Sequence, residues 1–520
     1  MKINLKLEKG ENIFNDDLLN HVLWFNNIKT SSDYQKIAKI DFPFFFKGYE
    51  LFNAKIDSFK NKKVIIIGDY DADGVCATSI MIIFLRYLNI DCDYIIGDRN
   101  TDGYGINTNL IDEAIKKNAD VIITVDNGIK SKKEVDYAIS LGLDVIVTDH
   151  HEVDLDNLPN CLIFNPHYNQ DLINEGICGA FTALVLCYGY LKSKDISDKS
   201  LMYELYELAA IATIADVMPL YNFNSKLVKN FISRINKKDI YNEGLNKLLN
   251  KLKLNDTNAI ELSYKLIPLI NAPGRLSNAS IVVDLFINGN NNVQKIFEIN
   301  EERRKITKEA IDKVVLDDSS INVIYIEDLN EGILGIVAGN ITDKTKKPTF
   351  VFTNNNGIIK GSARSVGDFD ILEATTNSLP KTYLSYGGHK QALGLSFNNI
   401  DEFNIFRINL SKIDYHYEPT INLLEYRYSS FKDTYNKLTT LEPFGSGLVR
   451  PLFYLEGFIH ERVVIQNKHT TFKMKVNNFD ESFIAFNKII NSDYIRFSFD
   501  VKREVYRNTL EYKGFVNEIF

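Results

Sequence analysis

The chain has 520 residues, 45% of them hydrophobic and 25% charged, so it is too long for one core and we expect about three domains. Its net charge of −8 argues against a protein that is basic over its whole surface, but leaves room for a local basic groove. The five cysteines form no CxxC pair, which argues against a disulfide framework and favours a reducing, cytoplasmic location. We expect neither a secretory signal nor a membrane partner, because the longest apolar run, residues 80–85, is far shorter than the roughly 20 residues of a membrane helix.

After a helical and irregular N-terminal segment, short apolar runs alternate with segments of helical spacing. The predicted strands are residues 64–68, 93–97, 121–125 and 145–148, with residues 161–164 as a fifth candidate. The helices between them are predicted at residues 75–88, 106–117 and 130–141. Continuously apolar strands alternating with helices predict a buried parallel sheet, so the fold class is α/β.

The rest of the chain changes character three times. Helices are predicted from about residue 179 to residue 285, and residues 293–315 read as a long connector helix with wide polar faces. A second, smaller α/β unit follows, in which Gly387, Gly388 and His389 are predicted to end a turn. Five alternating segments between residues 452 and 519 predict a small antiparallel barrel or sandwich; as a barrel, this domain would resemble an oligonucleotide-binding fold. The predicted domains are residues 1–290 (N-terminal segment and first α/β domain), 291–318 (connector), 319–415 (second α/β domain) and 416–520 (barrel).

Acidic and imidazole side chains follow the predicted strands of the first unit. These residues are Asp69, Asp71 and Asp73 after the first strand, Asp126 after the third, Asp149, His150 and His151 after the fourth, and Asp216 at the end of a later helix. The carboxyl ends of parallel strands meet at one edge of a sheet, where binding sites form. We therefore expect these side chains to lie close together.

Several carboxylates in one place are electrostatically costly unless cations neutralise them. Carboxylate and imidazole ligands together suit Mn²⁺ or Mg²⁺, and the lack of thiolates argues against structural zinc. Two such ions roughly 3.5–4 Å apart can activate a water and stabilise a leaving oxygen during phosphodiester hydrolysis. Any one of these aspartates alone would more often be a helix cap or a turn former, so the prediction rests on the whole ordered set.

The same residues resemble the successive motifs of a known family, the DHH phosphoesterases. The matching segments are Gly68-Asp-Tyr-Asp-Ala-Asp-Gly74, Val125-Asp-Asn-Gly128, Val147-Thr-Asp-His-His-Glu152 and Ala215-Asp-Val-Met-Pro219. Further segments resemble the branch of this family that degrades single-stranded DNA from its 5′ end: Arg99 with Gly103-Tyr-Gly105, Asn271-Ala-Pro-Gly-Arg275, Gly361-Ser-Ala-Arg-Ser365, Gly387-Gly-His389 and Glu442-Pro-Phe-Gly-Ser-Gly447. The similarity runs in unbroken order from about residue 40 to residue 520.

The resemblance implies a role for each residue of the metal-binding set. Asp71 and Asp73 would be ligands of two different ions, and Asp126 would bridge them. His150 and Asp216 would be further ligands, and His151 a ligand or a phosphate contact. Asp149 would orient the neighbouring histidine, as metal-bound histidines require. Asp69 is left open between a supporting role and ligation.

The resemblance also implies a set of phosphate-binding residues, which would hold the strand and its 5′ end. They are Arg99, Arg275, Ser362, Arg364, Gly388 and His389. The planar guanidinium suits phosphate recognition. The plainer alternatives are that Arg275 and Arg364 form ordinary ion pairs and that His389 completes a turn. In the barrel, the candidate DNA contacts are Lys468, His469, Phe472, Lys473, Lys475 and Tyr494.

Two positions depart from the family pattern. Some members have a histidine four residues before the first aspartate of the pair, where this chain has Ile67, so we expect one of the two ions to be held more loosely. The turn after Glu442-Pro-Phe-Gly-Ser-Gly447 is also diverged, with Leu448 and Val449 in place of asparagine and proline.

The resemblance implies a 5′-to-3′ exonuclease that degrades single-stranded DNA to mononucleotides in DNA repair and recombination, with two divalent cations, Mn²⁺ or Mg²⁺. Its implied partners are single-stranded DNA and, as further candidates, a helicase and a single-strand-binding protein; we expect a monomer. Two alternatives remain. A phosphodiesterase of oligoribonucleotides or cyclic dinucleotides would not need the barrel, and a non-catalytic scaffold would be expected to lose ligands that are present here.

Overall fold

A computed structural model describes residues 2–6, 9–38, 48–99, 103, 105–168, 176–254, 256–506 and 509–520, so Tyr104 of the predicted phosphate-binding motif lies outside the described residues. The N-terminal segment contains one strand and three helices: β1 (Lys2–Leu5), α1 (Asp17–Phe25), α2 (Ser31–Ala38) and α3 (Tyr49–Asp57). None of the helices in these described ranges is long and apolar enough to cross a membrane.

The first sheet has five parallel strands in the order β3-β2-β4-β5-β6, as the sequence predicted. Its elements in chain order are β2 (Val64–Gly68), α4 (Ala72–Tyr87), β3 (Cys92–Ile96), α5 (Thr108–Lys116), β4 (Val121–Val125), α6 (Lys132–Ser140), β5 (Asp144–Thr148) and β6 (Leu162–Phe164). Alternate residues of β2 enter two cores, with Ile66 facing α4 on one side and Ile67 facing α5 and α6 on the other. Strands β2 and β4 are buried throughout, and all five parallel strands end at one edge, where the polar residues follow.

A helical region covers one face of this sheet. Its helices are α7 (Gly179–Ser193), α8 (Lys199–Ala215), α9 (Asn222–Lys237), α10 (Glu243–Leu252), α11 (Ala259–Lys265), α12 (Ile267–Asn271), α13 (Pro273–Leu276), α14 (Ser280–Asn288) and α15 (Val293–Asp312). Helices α4, α7 and α8 contact one another and are apolar nearly all round, which fits their central position. The connector α15 buries Ile296, Ile299 and Ala310, so it packs on both α/β units, although its sequence suggested exposed faces.

The second α/β domain has a mixed sheet in the order β10-β11-β9-β8-β7. Its elements are β7 (Asn322–Tyr325), α16 (Glu331–Thr345), β8 (Thr349–Asn355), β9 (Ile358–Arg364), α17 (Ile371–Ser378), β10 (Ser385–His389), β11 (Ala392–Phe397) and α18 (Ile400–Leu410). The turn predicted at Gly387, Gly388 and His389 was wrong, because these residues form the edge strand β10, paired with β11. A Cβ on Gly388 would lie 2.4 Å from the carbonyl oxygen of Ala392, so the close pairing requires the glycine that had suggested a turn.

The C-terminal domain is a closed five-stranded barrel with one helix, as predicted for an oligonucleotide-binding type of fold. Its elements are β12 (Thr420–Glu425), α19 (Phe431–Thr440), β13 (Phe453–Ile465), β14 (His469–Val476), β15 (Phe479–Ala485), β16 (Tyr494–Tyr506) and β17 (Thr509–Ile519). Strand β13 pairs with both β14 and β16, and β15 pairs with β17, so the ring closes. Phe472, Phe483, Phe497 and Phe499 fill its interior with edge-to-face and stacked contacts.

The N-terminal segment packs on this C-terminal barrel. Strand β1 extends the barrel sheet by pairing in parallel with β12, and α1 contacts α19. Leu18, Val22 and Leu23 are buried in the same core as the barrel phenylalanines. The described residues 2–6 and 9–38 therefore pack with the last domain, which the predicted grouping of residues 1–290 did not anticipate.

Candidate metal centre

The loop after β2 places two aspartates at two helix N-termini. Asp71 is the N-cap of α4, and its Oδ1 accepts hydrogen bonds from the backbone N–H groups of Asp73 (2.9 Å) and Gly74 (3.0 Å). The buried carboxylate of Asp73 accepts from the N–H groups of Gly179 and Ala180, both at 2.7 Å, at the start of α7. Helix N-termini stabilise negative charge, so these hydrogen bonds hold both carboxyl groups in position at the sheet edge.

Asp126 follows β4 with a φ of +62°, a conformation that directs its carboxylate toward the same edge. It is buried, and α7 begins directly against it: a Cβ on Gly179 would lie 2.6 Å from the Cβ of Asp126. Only a glycine at this helix start permits the approach. Burial first, and then the charge of Asp73, raises the pKa of Asp126 well above its ordinary value.

The imidazole of His150 lies among three carboxylates. Its Nε2 is 3.2 Å from Oδ1 of Asp126 and 3.6 Å from Oδ2 of both Asp73 and Asp216. Burial lowers the pKa of His150 despite the nearby carboxylates, which favours the neutral imidazole that a metal ion binds.

Asp149 holds the other histidine in position. Its Oδ1 accepts from the backbone N–H of His150 (2.7 Å) and pairs with Nδ1 of His151 (2.7 Å), and its Oδ2 accepts from the N–H of Ile129 (3.0 Å). Burial works against ionisation of Asp149, but the bonds from His151 and the backbone outweigh it and lower its pKa. With Nδ1 of His151 engaged, Nε2 is the ring nitrogen directed away from Asp149.

Asp216 completes the set from the C-terminal end of α8, where it is the C-cap residue. Burial, followed by the charges of Asp73 and Asp71, raises the pKa of Asp216 to about 8. Its Oδ2 is buried and accepts no hydrogen bond from the described residues. A buried acceptor among like charges fits a bound cation.

These side chains form three groups of donor atoms that could each hold a metal ion, with the atoms of a group within 4.8 Å of one another. The groups are Asp69, Asp71 and Asp126; Asp73, His150 and Asp216; and Asp126, His150 and His151. Asp71 and Asp73 fall in different groups, and Asp126 belongs to two. This arrangement fits divalent cations held by carboxylate and imidazole donors, with Asp126 a donor in two of the groups.

Sequence reasoning left Asp69 open and expected a gap in one ligand set, because Ile67 replaces a family histidine. The side chain of Ile67 is buried in the core on the α5 and α6 side of the sheet. Asp69, two residues further on, supplies a third donor beside Asp71 and Asp126 instead. Burial, and then the charge of Asp71, raises the pKa of Asp69 well above its ordinary value. Its place directly after the end of β2 was the signal that could have found it.

Positive side chains from both α/β domains gather beside the carboxylates. Arg99 lies over the ring of Tyr70, 5.1 Å from its centre, and Arg275 donates to the carbonyl oxygen of Gly332 (3.1 Å) at the start of α16. From β9, Arg364 donates to Oγ of Ser362 (3.2 Å).

These three arginines repel one another. Burial, and then the charge of Arg99, lowers the pKa of Arg275 to about 10 and also lowers that of Arg364. Neither Arg275 nor Arg364 has a carboxylate within ion-pair distance among the described residues, so the plainer ion-pair alternative is not supported for them. Repelling arginines next to a metal-binding edge are suited to a phosphate group.

Gly388 and His389 lie on the exposed edge of the second sheet. The register aligns His389 with Ala392 of β11 and Ala392 with Arg364 of β9, so these three side chains share one face. Two residues along each strand, on the same face, the register aligns Gly387 of β10 with Gly394 of β11 and Ser362 of β9. A Cβ added at Gly387 would meet no atom within 4 Å. At the other end of this face, α16 lies against Arg364, since a Cβ on Gly335 would be 2.7 Å from its guanidinium, so the open part of the face is over Gly387.

The barrel residues proposed as DNA contacts divide into two kinds. Phe472 is 2% exposed and part of the barrel core, so its assignment as a contact was wrong; the alternation along β14 turns it inward. Lys473 is half-exposed and pairs with Glu461. Tyr494 is exposed and forms an edge-to-face pair with Phe458, which sequence reasoning did not single out.

Residues 63–213 match the family model for the DHH family, N-terminal domain, and residues 318–411 match the DHHA1 domain. The chain belongs to the DHH family. Within this family, the chain is similar to RecJ proteins.

The chain is 31% identical to the single-stranded-DNA-specific exonuclease RecJ of Escherichia coli over 378 residues, which are 66% of this chain and 65% of that protein. It is 31% identical to the Bacillus subtilis RecJ over 462 residues, 82% of this chain and 57% of that protein. The chain therefore spans less than two thirds of these relatives. The Haemophilus influenzae RecJ is 28% identical over 504 residues, 88% of this chain and 87% of that protein.

Solved structures agree on the fold. The structure of RecJ from Thermus thermophilus in complex with Mn²⁺ has a TM-score of 0.83 at 24% identity, over 96% of this chain and 75% of that chain. A second structure, exonuclease RecJ bound to manganese, has a TM-score of 0.61 at 28% identity, over 71% of this chain and 94% of that chain.

Proposed function

We propose that this chain is a metal-dependent exonuclease that degrades single-stranded DNA from its 5′ end to mononucleotides, in DNA repair and recombination. One observation carries the proposal: two groups of metal-binding donors share Asp126 beside a cluster of arginines that repel one another. The relatives named as single-stranded-DNA-specific exonucleases support the choice of substrate.

Asp69, Asp71 and Asp126 would hold one divalent cation, and Asp73, His150 and Asp216 the other. Asp126 would link the two sets, since it also groups with His150 and His151. The carboxylate and imidazole donors fit Mn²⁺ or Mg²⁺, and the RecJ structures with manganese support that choice. When bound, the two ions would supply charge for activating a water and for stabilising the leaving oxygen.

The protein's own contribution is to fix these groups before the substrate arrives. The N–H groups at the start of α7 hold the Asp73 carboxylate, and Asp149 fixes the ring of His151. His151 would act as a ligand or as a contact to the scissile phosphate. Rigid donors of this kind need no rearrangement as charge develops in the transition state.

The arginine cluster would bind the 5′ end of the strand. Arg99, Arg275 and Arg364, with Ser362, would hold its phosphates, and Gly388 and His389 would contact the backbone on the open face of the second sheet. A 5′ phosphate fixed at this cluster would place the next phosphodiester bond at the carboxylates. This geometry favours release of one nucleotide at a time.

The domains would divide the work. Residues 1–290 carry the metal-binding edge, residues 291–318 connect it to residues 319–415, which complete the phosphate site, and residues 416–520 would bind the strand further along. The exposed pair Phe458 and Tyr494 offers a stacking surface for bases. A helicase and a single-strand-binding protein are proposed partners, because the substrate must first be separated from its complement, and we propose that the chain acts as a monomer.

Product analysis on end-labelled single strands tests this function. With Mn²⁺ or Mg²⁺, we expect a 5′-labelled strand to yield labelled mononucleotide at once, whereas a 3′-labelled strand shortens gradually. A matched duplex should resist. Immediate mononucleotide from the 3′ label would reverse the polarity, and cleavage confined to dinucleotides would replace the substrate class.

A further inference from the structure

The residue after Asp216 has an unusual backbone conformation. Helix α8 ends with hydrogen bonds from the N–H of Val217 to the carbonyl of Ile214 (3.3 Å) and from the N–H of Met218 to the carbonyl of Thr213 (3.1 Å). This ending needs a left-handed residue at the position of Val217, whose φ is +53°. Glycine is the usual residue there, because a Cβ is crowded in this conformation.

A valine is the least suitable kind of residue for this position. The other non-glycine residues of positive φ in the described ranges are Asn, Asp, Lys or Gln, so Val217 alone among them is β-branched. A second Cγ on the Cβ adds to the strain of the left-handed conformation. The fold therefore loses stability by having valine here.

Burial does not compensate for this loss, because Val217 is 69% exposed. A single exposed valine would need no explanation by itself, since scattered apolar residues are common on protein surfaces. Here the exposed apolar group is combined with a strained backbone and directly follows a carboxylate of the metal-binding edge. Strain of this kind persists where function requires it.

The segment after Val217 is held so that the strain cannot relax. The N–H of Leu220 donates to the carbonyl of Ser446 in the C-terminal domain (2.7 Å). Gly445 packs on the same leucine, since a Cβ there would lie 2.6 Å from its Cδ1, and a Cβ on Gly447 would lie 2.7 Å from the ring of Tyr221. The loop is thus fixed between α8 and the C-terminal domain, which also gives the motif Glu442–Gly447 a role.

We propose that Val217 contacts the substrate, with its isopropyl group packing on the sugar or base of the nucleotide whose phosphate reaches Asp216. The inference rests on the proposed function for its substrate, a single DNA strand. Apolar contact with the nucleotide removes the side chain from water only in the complex. The free energy gained from this contact on binding then offsets the stability that the free protein loses at this position.

The test compares Val217→Gly and Val217→Thr with the wild-type protein. The probe is a fluorescent 5′-phosphorylated oligothymidylate, bound without added metal. We expect Val217→Gly to raise Tm by a few degrees, because glycine relieves the strain, and to raise Kd roughly fivefold through the lost apolar contact. Val217→Thr keeps the branched shape, so Tm should stay near the wild-type value while Kd rises, because a hydroxyl replaces a methyl group.

Val315→Gly is the matched control, since Val315 is 92% exposed and lies beyond the end of α15. It should neither raise Tm nor change Kd. An unchanged Kd for Val217→Gly, or the absence of a rise in Tm, overturns the inference. A wild-type protein that binds the strand but does not cleave it refutes the proposed function and leaves the comparison of Kd values intact.

Discussion

The Nε2 atom of His150 lies 3.2 Å from Oδ1 of Asp126, although the two residues follow different strands and are 24 positions apart in the chain. Both side chains are largely withdrawn from water, and the pKa of Asp126 is raised by burial and by Asp73. The contact therefore joins two groups whose charged forms the fold alone does not favour. A cation between them would resolve this conflict.

Replacing Asp126 by asparagine tests this directly. We expect Asp126→Asn to lose about 10³-fold or more of the metal-dependent nuclease activity, because the variant cannot bridge two cations. Its Tm without metal should rise, since a repelling charge is removed, and Mn²⁺ should raise its Tm less than that of the wild type. Asp136→Asn, an exposed change on α6, serves as the control and should alter neither quantity. A variant that keeps its full activity contradicts the assignment.

Metal binding should release protons and strengthen as the pH rises. The folded-state pKa values of Asp69 and Asp126 lie well above their ordinary values, and that of Asp216 is about 8, so part of this set is protonated near neutral pH. Stability from carboxyl groups with raised pKa is present at low pH and is lost as the pH rises toward the folded-state values, so the metal-free Tm should fall from about pH 5 to about pH 8. Calorimetry of Mn²⁺ binding in two buffers of different ionisation enthalpy measures the protons released. Binding that is equally strong at about pH 6 and about pH 8 would refute this prediction.

The arginine cluster should distinguish the two kinds of 5′ end. We expect Arg364→Ala to raise KM for a 5′-phosphorylated strand about tenfold and to weaken the preference for it over a 5′-hydroxyl strand, because charge-assisted bonds to the phosphate are lost. Arg364→Lys should recover only part of the preference, since lysine lacks the planar fork. Arg304→Ala, which removes an exposed arginine from α15, is the control. An equal rise in KM for both kinds of strand would indicate that Arg364 contacts a part of the DNA other than its 5′ phosphate.

The sequence could predict that these acidic and imidazole side chains lie close together because the signal is local. Asp71, Asp126 and His150 each follow an apolar run, and parallel strands bring their carboxyl ends together. Asp69 was left open because a residue at the end of β2 can turn toward either core or toward the edge. Nothing in the sequence signalled the strained conformation of Val217, since valine is not a residue that indicates a positive φ.

The contacts that sequence reasoning missed join distant parts of the chain. The pairing of β1 with β12 links Lys2 to Thr420, and no local pattern records such a partner. The edge strand β10 was hidden by its glycines, which serve close pairing instead of a turn. The inward side chain of Phe472 follows from the register of β14 and not from its composition.

The packing of the N-terminal segment on the barrel gives a stability prediction. Leu23 is 1% exposed in the core that α1 shares with the barrel, so Leu23→Ala should cost about 2–5 kcal/mol of unfolding free energy. Trp24, the single tryptophan of the chain, lies beside it and reports on this region by fluorescence. The unfolding transition followed by Trp24 fluorescence should move to a lower denaturant concentration. Leu51→Ala, at a position 59% exposed on α3, should leave it in place, and an unmoved transition for Leu23→Ala would contradict the shared core.

Glu204 on α8 gives a second stability prediction, with a definite dependence on pH. Burial raises its pKa from 4.5 to about 7, and its Oε1 accepts a hydrogen bond from Nδ2 of Asn242 at 3.0 Å. An acid with a raised folded-state pKa holds a proton that the unfolded chain has lost, so its contribution to stability decreases as the pH rises from about 4.5 to about 7. Glu204→Gln keeps the acceptor and removes the charge. We expect it to match the wild type at about pH 5 and to be more stable by on the order of 1 kcal/mol at about pH 8, after allowance for solvent around the half-buried carboxyl.

Thermal unfolding of both proteins across this pH range measures the difference. Glu302→Gln on α15, where the side chain is exposed, removes one negative charge from the same chain without removing a buried one. The difference in Tm between Glu302→Gln and the wild type should be the same at every pH. If the stability of Glu204→Gln also differed from that of the wild type by the same amount at every pH, the carboxyl of Glu204 would be ionised in the folded protein at neutral pH. The hydrogen bond from Asn242, at the start of α10, would then have to stabilise this charge on α8.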